Sequence, residues 1–292
     1  MALAEFFKKR DAGKSAEDEM SFVDHLEALR WHILRSIIAV ALGAIAVFVF
    51  SDFFVDAIVF GPTRSDFFSV KWLCEIGRAV GIGDGLCVKA DMIEFQETTM
   101  TGQFIASFTV AFIGGFVLAF PYIFWEMWRF VKPALSEKER RGTRGVIFWV
   151  SVLFFIGVAF GYMILTPLMV NFYFNYKLSD QIVIRPTFTD YLENLVYSTV
   201  GIGLLFQLPL LILALAKTGI ITAQMLQKYR RHAFMVILIA AAIITPTTDP
   251  FSLAVVTVPL YMLFEISIKL AKKAGKKYEE EYQDTTDIQE WS

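Results

Sequence analysis

Residues 98–125 read Thr98-Thr-Met-Thr-Gly-Gln-Phe-Ile-Ala-Ser-Phe-Thr-Val-Ala-Phe-Ile-Gly-Gly-Phe-Val-Leu-Ala-Phe-Pro121-Tyr-Ile-Phe-Trp125, without one charged side chain. A bilayer core of ~30 Å needs about 20 helical residues at 1.5 Å each, so Gly102–Trp125 spans it comfortably. Three further stretches do the same. They are Trp31–Phe50, with Arg35 near its start, Val146–Leu165, ending just before Pro167, and Asn194–Ala216, bracketed by Glu193 and Lys217. Ala233–Thr245 and Phe251–Phe264 are shorter, with Pro246-Thr-Thr-Asp-Pro250 between them. Each would reach only ~20 Å, so the pair either thins the bilayer or forms a re-entrant hairpin.

Composition agrees. Of 292 residues 56% are hydrophobic and 29 are Phe; counted with Gly and without Tyr the apolar share is about 59%, against roughly 45–50% for soluble domains. Hydrophobicity excludes disorder, and two Cys exclude a disulfide scaffold. A net charge of −2 excludes a nucleic-acid binder. The expected class is an all-α polytopic membrane protein.

Charge distribution predicts orientation. Alternate segments (1–35, 126–145, 217–232 and the tail 269–292) hold 21 of the 27 Lys and Arg; the loops 51–101 and 166–193 hold 6. By the positive-inside rule both termini are cytoplasmic and the crossings even in number. Trp31, Trp125, Trp128 and Trp149 fall at the cytoplasmic helix ends, as an aromatic belt would. The charged first thirty residues predict no cleavable signal, the first helix acting as anchor. Cys74 and Cys87 both lie in the outside loop 51–101, in a Gly-rich segment, and predict a disulfide.

Enzyme chemistry has little to stand on. His25, His32 and His232 are not at ligand spacing with another His or a Cys, so no metal or cofactor is expected. Ala12-Gly-Lys-Ser15 lacks the first Gly of a phosphate loop, and Gly81-Ile-Gly83-Asp-Gly85 lacks the third Gly of a dinucleotide fingerprint. No Gly-x-Ser-x-Gly elbow occurs.

Binding has more. Phe22, Val23, Leu26, Leu29 and Ile33 share one helical face, predicting an amphipathic helix at the cytoplasmic interface that runs into the first span. In the second loop, Ser136-x-x-Glu139 is a capping box. Phe130 lies nine residues earlier in a mixed aromatic and basic stretch. An exposed carboxylate near an apolar ring suits a ligand carrying both guanidinium groups and an apolar segment. Within the spans, Gln207 beside Pro209 predicts a kink and a buried amide needing a partner. Glu265 forms a helical i,i+4 pair with Lys269, and Asp249 sits in the turn between the short stretches.

Four blocks carry a resemblance. They are Phe22-Val-Asp-His25-Leu-Glu-Ala-Leu-Arg30, Phe130-Val-Lys-Pro-Ala-Leu-Ser-Glu-Lys-Glu139-Arg, Thr245-Pro-Thr-Thr-Asp249-Pro-Phe-Ser252 and Pro259-Leu-Tyr-Met-Leu-Phe-Glu265-Ile. In this order they resemble the TatC family, the polytopic core of the twin-arginine (Sec-independent) protein translocase. That resemblance implies a glove-shaped protein with six transmembrane helices, at 31–50, 102–125, 146–165, 194–216, 233–245 and 251–268 here, the last two short. It implies cytoplasmic termini in the inner membrane of a prokaryote. It also implies binding of twin-arginine signal peptides of folded cargo, small single-span TatA/TatB-type partners, an oligomeric working complex and drive from the proton-motive force. By motif position the signal contacts fall on Glu139 and Phe130; Leu29, Arg30 and Pro121 match further motif residues, and Pro62 matches a proline of the first outside loop.

Three departures stand out. The family's N-terminal Glu falls at Ala28, with Glu27 adjacent but about 100° around the helix. Gln207 stands where many members carry Glu, and an amide cannot titrate near neutral pH. The Cys74–Cys87 segment is not part of the family pattern. The expected mechanism pairs Glu139 and a second acid, Glu27 or Glu126, with the signal's arginines, while Phe130 takes its apolar part. The competing reading is a secondary transporter of a small solute, using Gln207, Glu265 and Asp249 near broken helices.

Overall fold

In lipid a backbone N–H or C=O finds no water, so every polar main-chain group must be satisfied within the chain. The computed structural model meets this with helices; it describes residues 22–79, 95–132, 145–175, 179, 185–217, 221–244 and 250–290. Among these residues there is no strand, only a single parallel bridge between Gln96 and Thr187.

α1 (Phe22–Val49) joins the amphipathic segment and the first span in one helix. A π-turn (Phe54–Val59) and a 3-10 turn (Gly61–Thr63) follow, the latter burying Pro62. α2 (Phe68–Ala79) belongs to the loop before α3 (Gly102–Val131). α4 is α-helical over Val146–Phe160, passes a π-turn at Gly161–Leu165 and resumes over Thr166–Asn175. α5 repeats this pattern, with Phe188–Val196, a π-turn at Tyr197–Gly201 and Ile202–Leu205. α6 (Leu208–Lys217), α7 (Ala223–Lys228), α8 (Arg230–Ile244) and α9 (Pro250–Glu290) complete the described residues.

Among the described residues, five helical runs are long and apolar enough to cross a membrane: Glu27–Val49, Gly102–Val131, Val146–Phe174, Phe188–Ala216 and Ser252–Lys272. α8, at 15 residues, is only ~22 Å long. Side chains such as Leu42 and Ile45 are more than half exposed, as a lipid-facing surface requires.

Two helical runs outlast their apolar stretches. α4 does not stop before Pro167. Pro167 has no N–H to offer one turn back, and the π-turn absorbs the mismatch: the Thr166 N–H and its hydroxyl both donate to the Gly161 carbonyl, the hydroxyl at 3.0 Å. α5 begins at Phe188 rather than Asn194, opened by the Thr187 hydroxyl accepting from the Asp190 N–H at 3.1 Å. At Phe206–Gln207 the helix breaks as the Pro209 argument expects, the Gln207 N–H turning to the Leu204 carbonyl at 3.0 Å.

Small residues set the closest approaches. A Cβ on Gly115 of α3 would collide with the backbone of Ala44 on α1. One on Gly161 would strike the Ser198 carbonyl, so the π-turns of α4 and α5 pack directly on each other, joined by a 2.8 Å hydrogen bond between the Thr166 and Ser198 hydroxyls.

Among the described residues the apolar core has three parts. One joins Val47, Val59, Val70, Val110, Val170 and Tyr191; a second joins Leu165, Ile202, Val256, Leu260 and Ile268. The third holds Phe120 stacked on Phe154, ring centroids 3.5 Å apart.

Candidate functional site

α1 starts where α3 ends, and their close packing brings the first turns of one against the last turns of the other. Here Glu126 of α3 is 1% exposed. A carboxylate out of water is stable only when its oxygens are paired and hydrogen-bonded, and four side chains do this. His32 Nδ1 lies 2.5 Å from Oε2. The Tyr122 hydroxyl, one turn back, donates to Oε1 at 3.0 Å. Arg129 Nη1 stands 3.7 Å from Oε1, and Arg35 Nη1 4.0 Å from Oε2. Both guanidinium groups are about half exposed, at 46% and 48%, and Arg129 lies over the Trp125 ring at 4.8 Å. Two cations thus share one buried carboxylate.

Phe130 follows one turn later. Its half-buried ring meets His32 edge-on, centroids 6.1 Å apart, so the group that holds Glu126 also seats Phe130. Leu29 is half-buried; Glu27 and Arg30 are exposed on the same stretch of α1. Pro121 sits half-buried inside α3, one turn before Trp125.

This end therefore gathers Leu29, Arg30, Glu27, Pro121, Glu126 and Phe130 from two helices. Glu139, with its capping box, lies outside the described residues, as does Asp249. Of the two alternatives for the second acid beside Glu139, Glu126 is enclosed by its own partners, whereas Glu27 is exposed.

The remaining polar residues are dispersed. Gln207 Nε2 donates to the Val150 carbonyl at 3.1 Å, while its buried Oε1 has no partner among the described residues. Glu265 does not rely on Lys269. Its salt bridge is to Arg230 of α8, at 2.7 Å, and the Tyr261 hydroxyl donates to it at 3.1 Å. A helix-to-helix contact fixed by packing is a better partner than a long side chain on the solvated end of the same helix. Cys74 on α2 is disulfide-bonded; Cys87, the chain's other cysteine, lies outside the described residues.

Sequence reading did not single out His32, Arg35 or Tyr122 as partners of Glu126. A signal existed: Glu126 ends an uncharged run, and His32 and Arg35 lie at i,i+3 on the first span.

A bundle of long apolar helices with its ionisable groups gathered at helix ends defines a multi-pass membrane protein. The family described as Sec-independent protein translocase protein (TatC) matches residues 24–259, and the chain belongs to this family. A Sec-independent protein translocase protein TatC from Blattabacterium sp. subsp. Periplaneta americana is 37% identical over 90% of this chain and 99% of its own length. A TatC of Deinococcus radiodurans is 31% identical, covering 85% and 84%. A crystal structure of a twin-arginine translocase receptor, TatC, in DDM superposes with a TM-score of 0.66 at 26% identity, over 85% of this chain and 99% of that one. The chain is thus a TatC-family component of a Sec-independent protein translocase.

Proposed function

We propose that this subunit binds the twin-arginine signal peptides of folded cargo at the end of the bundle that carries Phe130. The observation that carries the reading is the joint between α1 and α3: the half-exposed Phe130 ring meets His32, which holds Glu126, and Glu27 is exposed on α1 five residues before His32. A signal pairs two guanidinium groups with an apolar stretch, and this end carries both an aromatic surface and the exposed Glu27 carboxylate. Glu139 and Glu27 are the acids assigned to the arginines; planar guanidinium matches carboxylate in a two-bond fork that ammonium cannot form. Glu126 is assigned a different part. Enclosed by His32, Tyr122, Arg35 and Arg129, it orients the Phe130 platform and does not contact the ligand.

The basic excess of alternate segments supports cytoplasmic termini and six crossings, with α8 as a short fifth crossing. The membrane is then a prokaryotic inner membrane, and the binding end faces the cytoplasm. TatA/TatB-type single-span proteins are the proposed partners, assembling with several copies of this chain, and the proton-motive force drives transport. The loop bearing α2 faces the oxidising side, where Cys74 pairs with Cys87.

Crosslinking of a twin-arginine peptide to the full chain in vesicles tests the assignment. Glu139→Ala is expected to weaken it by about tenfold, the weight of a charge-assisted contact, and Glu137→Ala hardly at all. Equal binding by both variants would refute the role given to Glu139.

A further inference from the structure

At the end of the bundle opposite Glu126, the last turns of α4 and the first of α5 diverge above their packed π-turns. Between them lies a cavity of about 350 Å³, whose apolar wall includes Phe95, Met169, Val170 and Leu195, with Asp190 and Asn194 also on its lining.

Its depth is set by helix length. The helical run 146–175 is ~45 Å long against ~30 Å of hydrocarbon, so about five residues project at each end, and α5 packs beside it through the paired π-turns. Asp190 falls at head-group level, while Met169 and Leu195 fall at the level of the upper acyl chain. The cavity is apolar where the bilayer is apolar and polar where the bilayer is polar.

Its rim favours one sign of charge. Asp190 is exposed and its carboxylate has no partner among the described residues. Asn194 gives one of its two amide N–H groups to the Asp190 carbonyl at 2.8 Å, and its side-chain oxygen remains an acceptor. Two acceptors, one of them charged, call for a cation that carries N–H groups. Arg185, exposed, precedes Pro186 of the lining in the chain, outside the lining itself.

We propose that this cavity binds an amine-bearing zwitterionic phospholipid from the leaflet on this side. The ammonium lies on Asp190 and Asn194, the phosphate faces Arg185, and the start of an acyl chain fills the space against Met169 and Leu195. A trimethylated head group has charge but no N–H, and an anionic glycerol head group would place its hydroxyls, without a cation, on Asp190.

The test is lipid retention by the purified full chain, read by native mass spectrometry after exchange from vesicles of phosphatidylethanolamine, phosphatidylcholine or phosphatidylglycerol. Wild type is expected to retain the ethanolamine lipid about tenfold better than either other lipid. Asp190→Asn should erase that preference, and Leu195→Phe, which adds a ring to the cavity, should abolish retention of all three. Equal retention of the three lipids by wild type, or an unchanged preference in Asp190→Asn, would overturn the proposal. Asp190 is exposed, so that variant decides the matter even if Leu195→Phe does not fold.

Discussion

Two glutamates are held by the same local device in different surroundings. Tyr122 donates to Glu126 at 3.0 Å and Tyr261 to Glu265 at 3.1 Å, each from one helical turn back. Each carboxylate then takes a base from a neighbouring helix, His32 for Glu126 and Arg230 for Glu265. Burial separates them: the Glu126 side chain is 1% exposed, that of Glu265 26%. At Glu265 water shares the charge and the ion pair fastens α8 to α9 without being essential. At Glu126 the carboxylate is out of water, and the hydrogen bonds from His32 and Tyr122 stand in for its hydration.

The largest consequence falls on Glu126. Truncating it to Ala strands His32 beside two guanidinium groups in an apolar joint, and breaking such a buried pair costs about 3–5 kcal/mol. Thermal unfolding in detergent micelles should fall accordingly, with Glu126→Gln intermediate because the amide still accepts one hydrogen bond. A loss below about 1 kcal/mol for Glu126→Ala would mean that water already reaches the site.

Glu265→Ala is expected to cost less, about 1 kcal/mol, since Arg230 is 47% exposed and half-solvated pairs are weak. A double-mutant cycle with Arg230→Ala should give a coupling of about 0.5–1 kcal/mol that shrinks as salt rises. The corresponding cycle between His32 and Glu126 should be larger and insensitive to salt. Equal couplings at both places would break the distinction drawn from burial.

Much of this was open to reading in the chain. Uncharged runs of helix length announce spans because the bilayer imposes a length and forbids free charge; the Gln207–Pro209 break follows from a missing N–H. The course of α4 past Pro167 was not legible, because a π-turn that accommodates proline depends on Ser198 of another helix standing against Gly161. The ionic partners were hidden for a related reason. Glu265 has Lys269 at helical spacing, yet its bridge is to Arg230, 35 positions away, and Glu126 finds His32 at a separation of 94. Sequence spacing reports neighbours along one helix, and in this bundle the decisive neighbours lie across helices. The family resemblance drew attention to Glu139 and Phe130; why Phe130 is held in place required the geometry of His32.

A third glutamate gives the smallest effect and completes the series. Glu97, at the opposite end of the bundle, has no basic side chain against it among the described residues. Instead its carboxylate accepts from the Thr189 hydroxyl at 2.8 Å, the Thr98 N–H at 3.1 Å, the Thr99 N–H at 3.3 Å and the Thr99 hydroxyl at 3.0 Å. These donors, Thr189 first, favour the charged form and hold Glu97 below the usual carboxylate range, outweighing its slight desolvation. An unfolded Glu titrates near ~4.3. Because the folded group binds its proton less readily, the stabilisation is complete above that value and fades as pH falls through the lower folded one. Unfolding followed from pH 6 down to about pH 3 should therefore show wild type more stable than Glu97→Gln at the upper end, the two curves converging in acid. Thr189→Val should move the convergence to higher pH, since it removes the donor that matters most. A gap between wild type and Glu97→Gln that stayed constant over the whole range would mean that Glu97 acts here by shape alone, and that only the Glu126 end of the molecule is organised by charge.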